Sequence, residues 1–165
     1  MTIPDDPWWR EFIEATPART AKLATVRADG GPHVAPIWVA VDGDDIVFTT
    51  GADTSKGRAL RRDPRVALSF DDEEPPFSFV LVRGTATMSE DPTELFRWAS
   101  ILGGRYLGSD RAEEMGQRNG VPGELLVRVT PTHVVADRGV SDEAAAGGGG
   151  RESNPPHEDR PCHPL

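Results

Sequence analysis

Short apolar runs, each bounded by turn-forming residues, recur along most of this chain and restrict the folds open to it. Residues 21–27 and 33–41 are two such runs, and the strong turn signal Ala-Asp-Gly-Gly-Pro at 28–32 lies between them. A second connection, residues 42–45, leads into the run 46–50. The chain is therefore predicted to open with a three-stranded antiparallel meander.

Three more strands are predicted further along the chain, which brings the total to six. They are residues 65–70, residues 77–88, and residues 124–130 with an extension over 132–136. Gly84 interrupts the long strand 77–88, and a glycine inside a strand indicates a bulge or the close approach of another backbone.

Helical spacing is confined to three segments. A short amphipathic helix is predicted over 7–15, and a basic helix begins at 53–55 and ends near Pro64. The third helix opens at Pro92, and one face of it is apolar: Leu95, Trp98, Ala99, Leu102 and Tyr106. Residues 109–123 are interpreted as a loop with room for one helical turn around Glu113. Six antiparallel strands with so few helices imply a small closed or partly open β-barrel with helices at its ends.

Residues 1–138 are predicted to form one domain and residues 139–165 a disordered tail. The length of 165 residues fits a single domain. The tail has too little apolar content to pack. Its His157, Cys162 and His163 lack the paired spacing of a zinc site, so no metal site is predicted.

The charge balance limits the partners that the chain can bind. The net charge is −9, whereas a nucleic-acid backbone or an anionic membrane surface attracts a basic protein. The single cysteine cannot form an internal disulfide, and no apolar run approaches the roughly 20 residues that cross a bilayer. The start of the chain also lacks the apolar segment of a secretory signal. We therefore expect a cytoplasmic protein whose partners are neither nucleic acid nor membrane.

One motif stands out against this acidic background, because it gathers basic residues where a strand gives way to a helix. Asp53, Thr54 and Ser55 are possible N-caps, and Lys56 and Arg58 follow in the first turn. Cations there oppose the helix dipole, whereas free N–H groups, hydroxyls and cations together suit a phosphate group. The alternative, basic residues that serve only to solvate a helix, remains open.

The order of these motifs resembles the pyridoxamine-phosphate-oxidase-like split-barrel family, and most closely its branch of deazaflavin-dependent oxidoreductases. The resemblance covers residues 8–137. It is carried by 24–26 (ATV), 32–38 (PHVAPIW), 48–51 (FTTG), 55–68 (SKGRALRRDPRVAL) and 82–86 (VRGTA). The resemblance implies a mainly β fold, a six-stranded antiparallel split β-barrel of the FMN-binding type with short flanking helices. It also implies a homodimer with two cofactor sites at the dimer interface.

The resemblance further implies a cofactor and the residues that bind it. Lys56 and Arg58 would bind the cofactor phosphate and Ser55 would donate a hydroxyl, while Thr49 and Thr50 would face the ribityl chain or the pyrimidine edge. Pro36, Ile37 and Trp38 would lie along the tricyclic ring. Members of this family use FMN or the deazaflavin coenzyme F420, and the sequence KGRAL at 56–60 favours F420.

The expected function is the reduction of a conjugated small molecule by reduced F420. Because the cofactor ring delivers the hydride, no side chain is assigned a catalytic role. His33 and His133 are considered as proton donors, but each is more simply a structural or surface residue. Two alternatives are kept open: an FMN-binding protein of the same fold, and a non-enzymatic carrier of flavin or deazaflavin.

Overall fold

A computed structural model describes residues 2–141, so most of the predicted tail, residues 142–165, lies outside the described residues. The helices are α1 (Trp8–Glu14), α2 (Ser55–Arg62), α3 (Pro92–Leu107) and α4 (Ala112–Asn119), with a 3-10 turn over Ser109–Arg111. The strands are β1 (Ala21–Val26), β2 (Pro32–Ile37), β3 (Ala40–Asp42), β4 (Asp45–Gly51), β5 (Arg65–Asp71), β6 (Phe79–Ser89) and β7 (Glu124–Asp137). None of the helices within 2–141 is long and apolar enough to cross a membrane.

The seven strands form one sheet in the order β2-β1-β5-β6-β7-β4-β3, and all neighbouring pairs are antiparallel. The two edge strands, β2 and β3, follow one another in the chain and are joined only through Trp38 and Val39. The sheet therefore curls until its two edges are connected covalently, which gives a barrel. The barrel is split between β2 and the part of β4 that the short strand β3 does not cover. The mainly β split barrel predicted from the sequence is confirmed.

Two apolar clusters lie on opposite faces of β4, because successive side chains of a strand alternate between faces. Ile46 and Phe48 point into the barrel, where they join the larger cluster with residues of α1 and most strands. Val47 points outward and packs against Leu95, Trp98 and Leu102 of α3. Helix α3 thus covers the outer face of β4.

Two details of the prediction were wrong. The sheet has seven strands rather than six, because the run 33–41 breaks at residues 38–39 and its two halves join opposite edges of the sheet. The segment 109–123 is mostly helical, with α4 packed tightly on α3. The strands β2 and β3 differ in the strand with which each one pairs, and the local pattern of residues does not show which strands pair.

The prediction for Gly84 is confirmed in both of its forms. The β6–β7 register shifts between Arg83 and Gly84, which marks a bulge. A Cβ atom at Gly84 would lie 2.6 Å from the carbonyl oxygen of Thr130 on β7, so only glycine permits this approach. Pro36 lies on an edge strand, where a proline is tolerated, because β2 is paired on one side only, with β1.

Candidate functional site

The split in the barrel exposes one edge of β4. Strand β3 pairs with Asp45, Ile46 and Val47 only, so from Phe48 to Gly51 that edge has no strand neighbour in the described sheet. A cavity of about 260 Å³ opens there, outside the barrel and beside α3. Its lining residues are Pro36, Ile37, Trp38, Thr49, Thr50, Lys56, Ala99, Leu102 and Asn119. The cavity thus combines the end of β2, the free edge of β4, and residues of α2, α3 and α4.

The cavity brings together most of the residues that the sequence singled out as cofactor ligands. Six of the eight line it: Pro36, Ile37, Trp38, Thr49, Thr50 and Lys56. The side chains of Ser55 and Arg58 are exposed and are not part of the lining. The six lining residues lie up to 20 positions apart in the sequence, from Pro36 to Lys56, and the split of the barrel makes them neighbours.

The start of α2 offers free hydrogen-bond donors. Thr54 is the N-cap, and its hydroxyl accepts the N–H of Gly57 at 3.1 Å, while its own N–H bonds to the carbonyl of Gly51. The two remaining N–H groups of the first turn, those of Ser55 and Lys56, have no partner among residues 2–141. Two unpaired amides at the positive end of a helix are the arrangement that binds anions.

The two cations of the motif lie in different surroundings. Lys56 is half-buried, lines the cavity, and takes part in no ion pair or side-chain hydrogen bond within the described part of the chain. Arg58 is exposed, and its guanidinium donates to the carbonyl of Asp53 just before the helix. In this structure Lys56 is therefore the cation that the cavity presents, and Arg58 would have to leave Asp53 to reach the same ligand.

Gly57 fixes how closely α2 approaches the end of β4. A Cβ atom at this position would lie 2.4 Å from the carbonyl oxygen of Gly51 and 2.7 Å from that of Ala52. Both atoms belong to the backbone and cannot rotate away. The glycine in the Lys-Gly-Arg sequence thus lets the helix begin directly against the strand and holds Lys56 beside the free edge.

The aromatic side of the cavity is a stacked pair. The ring of Trp38 lies parallel to that of Tyr106 on α3, with centroids 5.1 Å apart and 6° between the planes. The Tyr106 hydroxyl accepts the N–H of Val39 at 3.1 Å and donates to the carbonyl of Arg19 at 2.5 Å. These bonds anchor the crossover between β2 and β3, so the orientation of the Trp38 ring is set by α3.

Sequence reasoning missed three lining residues: Ala99, Leu102 and Asn119. The first two were assigned to the core face of α3, and they do pack there. Asn119 lay in a segment interpreted as a loop, although Glu113 and Glu114 in the first turn of α4 are a signal for a helix start. No local pattern tells which loop or helix end returns to a particular cavity.

A carboxylate flanks this region on the same face of the sheet. Glu124 is paired with Gly51 across β7 and β4, two residues along from the pair formed by Leu126 and Thr49. Burial raises the pKa of Glu124 above its usual value of 4.5.

The histidines considered from the sequence lie outside the cavity. His33 faces Thr25 across β1 and β2, and its Nδ1 atom is buried without a partner among the described residues. His133 lies on the outer face of β7. Within residues 2–141 no group of three His, Cys, Asp or Glu side chains could hold a metal ion. His157, Cys162 and His163 lie outside the described residues.

A second hollow, of about 380 Å³, lies on the outer face of the sheet. Its apolar residues include Val34, Leu81 and Val135, which are 62%, 41% and 39% exposed. The outward face of an antiparallel sheet is normally polar, and an exposed apolar patch there usually marks an interaction surface.

The comparisons with known proteins agree with this architecture. A family model described as pyridoxamine 5'-phosphate oxidase matches residues 6–136. A conserved hypothetical protein from Mycobacterium tuberculosis has 27% identity and a TM-score of 0.70 over 82% of this chain and 85% of its own. An F420 reductase has 29% identity and a TM-score of 0.61 over 81% and 98%.

More distant similarity is limited to the fold. A heme storage protein from Vibrio cholerae has 20% identity and a TM-score of 0.62 over 81% of this chain and 95% of its own. No curated protein sequence matches the chain.

Proposed function

The chain belongs to the pyridoxamine 5'-phosphate oxidase family, and we propose that it is an oxidoreductase that binds coenzyme F420 and reduces a conjugated small molecule. The observation that carries the proposal is the cavity at the split of the barrel. Lys56 and Trp38 both line it, and the N–H groups of Ser55 and Lys56 at the same helix start have no partner within residues 2–141. A ligand with an anionic group and a flat ring satisfies both features.

The residues present fit such a cofactor. The Lys56 ammonium and the N–H groups of Ser55 and Lys56 would hold the phosphate, and Arg58 would join them on leaving the carbonyl of Asp53. Trp38, with Pro36 and Ile37 beside it, would lie along the ring. Thr49 and Thr50 would face the ribityl chain or the pyrimidine edge. The bound deazaflavin supplies the hydride, so these residues bind and orient it.

The choice of F420 over FMN rests on two supports. The F420 reductase shares 29% identity and is matched over 98% of its length. The sequence 56–60 also resembles the deazaflavin branch of the family more than the FMN branch. FMN remains the alternative cofactor, since its phosphate and ring would meet the same cation and the same tryptophan.

We further propose that the site is completed by a second copy of the chain. Ligand pockets usually measure about 300–1,000 Å³ and enclose most of the ligand, whereas this cavity measures about 260 Å³ and is open. The apolar outer face with Leu81 offers a surface for self-association.

Leu81→Glu should convert the dimer to a monomer in sedimentation, whereas Thr87→Glu, on the same strand outside the hollow, should not. A monomeric wild-type protein contradicts this proposal.

A binding titration tests the cofactor assignment. Wild-type protein should bind F420 at tens of micromolar or tighter, and FMN more weakly. Lys56→Ala should weaken binding by about 1.5–3 kcal/mol, because a charge-assisted bond to phosphate is lost. The matched control is Arg62→Ala, which removes one exposed positive charge from the other end of the same helix. The assignment fails if neither cofactor binds, or if the Lys56 and Arg62 variants behave alike.

Turnover separates an enzyme from a carrier. Protein loaded with reduced F420 is mixed with enones, quinones and tetrapyrroles, and oxidation of the cofactor is followed by absorbance. Acceleration over free cofactor with at least one acceptor class is expected. Tight binding without acceleration for any of them would favour the carrier instead.

A further inference from the structure

Asn119 is a lining residue of the cavity to which no ligand contact has been assigned so far. We infer that its amide recognises the uncharged imide edge of the cofactor ring and so fixes the direction in which the ring enters the cavity. This inference rests on the proposed cofactor function and adds a specificity-determining residue to the same site.

The position of Asn119 is fixed by close packing. It is the last residue of α4, and the adjacent Gly120 lies so close to α3 that a Cβ atom there would be 2.6 Å from the Cα of Phe96. One turn earlier, a Cβ at Gly116 would lie 2.1 Å from the hydroxyl oxygen of Ser100. Helix α4 therefore rests directly on α3, and its end cannot shift without disturbing both helices.

The electrostatics of the cavity differ between its two helix ends. Helix α2 contributes its N-terminus, which carries partial positive charge, together with the ammonium of Lys56. Helix α4 contributes its C-terminus, where the last carbonyl groups carry partial negative charge. An anionic group is therefore stabilised near α2 and disfavoured near α4. This directs the phosphate to the N-terminus of α2 and the neutral ring edge to the C-terminus of α4.

The chemistry of Asn119 suits that neutral edge. A carboxamide offers two N–H donors and a carbonyl acceptor, and within residues 2–141 its side chain makes no hydrogen bond to protein. The ring systems of FMN and F420 share an imide, in which an N–H lies between two carbonyls. Asn119 can accept from that N–H and donate to a neighbouring carbonyl, whereas a charged side chain could do only one.

The test compares phosphorylated and phosphate-free ligands. The probes are F420 and FMN with their phosphate-free parents, the deazaflavin nucleoside and riboflavin. Asn119→Leu should weaken binding of both forms of the preferred cofactor by about tenfold, the loss expected for two neutral hydrogen bonds. Lys56→Ala should weaken only the phosphorylated form. Gln117→Leu, the same change on an exposed residue of α4, should weaken neither.

A second variant guards against a folding artefact. Asn119→Asp keeps the size of the side chain but removes its donors, so it should also weaken both forms of the ligand at neutral pH. If wild-type protein binds the cofactor and both Asn119 variants bind it as tightly as the Gln117 variant, the inference is wrong while the proposed function stands. If wild-type protein binds none of the four probes, the proposed function fails and the inference fails with it.

Discussion

Replacing Gly57 with alanine tests whether the contact between α2 and β4 holds the candidate site together. In a helix, alanine is favoured over glycine by about 1 kcal/mol, so helix propensity alone would stabilise the variant. The added Cβ, however, would meet the carbonyl oxygen of Gly51 at 2.4 Å and that of Ala52 at 2.7 Å. Real Cβ atoms do not come this close to backbone oxygen, so the helix or the strand end must move.

The size of the effect follows from these opposing contributions. Overpacking of a well-packed region typically costs about 1–3 kcal/mol, and here the obstacles are backbone atoms that cannot change rotamer. Gly57→Ala is therefore expected to lower the free energy of unfolding by about 1 kcal/mol or more, in spite of its better propensity. For a chain of this size that corresponds to a melting temperature lower by about 3 °C.

Gly104→Ala is the matched control, because it makes the same change in another helix. Its Cβ would lie 3.3 Å from the methyl group of Ala112, a contact that a slight shift relieves. We expect this variant to be as stable as the wild type or more stable. Urea denaturation measures the free energy of unfolding. The two variants can be compared directly if the m value, the slope of this free energy against urea concentration, is unchanged. Equal stability of the two variants would refute the packing argument for Gly57.

Three further outcomes are expected. Tyr106→Phe keeps the stack on Trp38 but leaves the N–H of Val39 and the carbonyl of Arg19 without their partner. The free energy of unfolding, measured by urea denaturation, should therefore fall by about 1–3 kcal/mol. A loss near zero would mean that water replaces the hydroxyl. Because burial raises the pKa of Glu124 above 4.5, the folded protein holds that proton more tightly than the unfolded chain, and stability is lost as pH rises through the native pKa. Glu124→Gln should therefore gain stability over the wild type at pH 7 and none near pH 3, and a gain that is the same at both pH values would contradict this origin. The Lys56→Ala loss of cofactor affinity should shrink at high salt, because a charge pair open to solvent is screened.

Local patterns of the sequence predict much of the fold. The alternating runs and their turn residues placed most of the strands, and the glycine inside a strand placed the bulge at Gly84. The basic motif 55–58 also predicted the start of a helix, and Thr54, the N-cap in the structure, was among its three candidate caps. These features depend on residues close together in the chain, so their physical causes can be identified without a tertiary structure.

What the sequence by itself determined is therefore a mainly β chain with a cationic helix start after a strand. Tertiary structure alone decided that residues 33–41 divide between the two edges of the sheet, because strand pairing is a long-range choice. The same choice opened the split that brings Trp38 and Lys56 to one cavity, while Arg58 bonds to the backbone outside it. The packing of α4 on α3 brings Asn119 to that cavity as well, and this position depends on how closely the two helices approach and not on any pattern within either one.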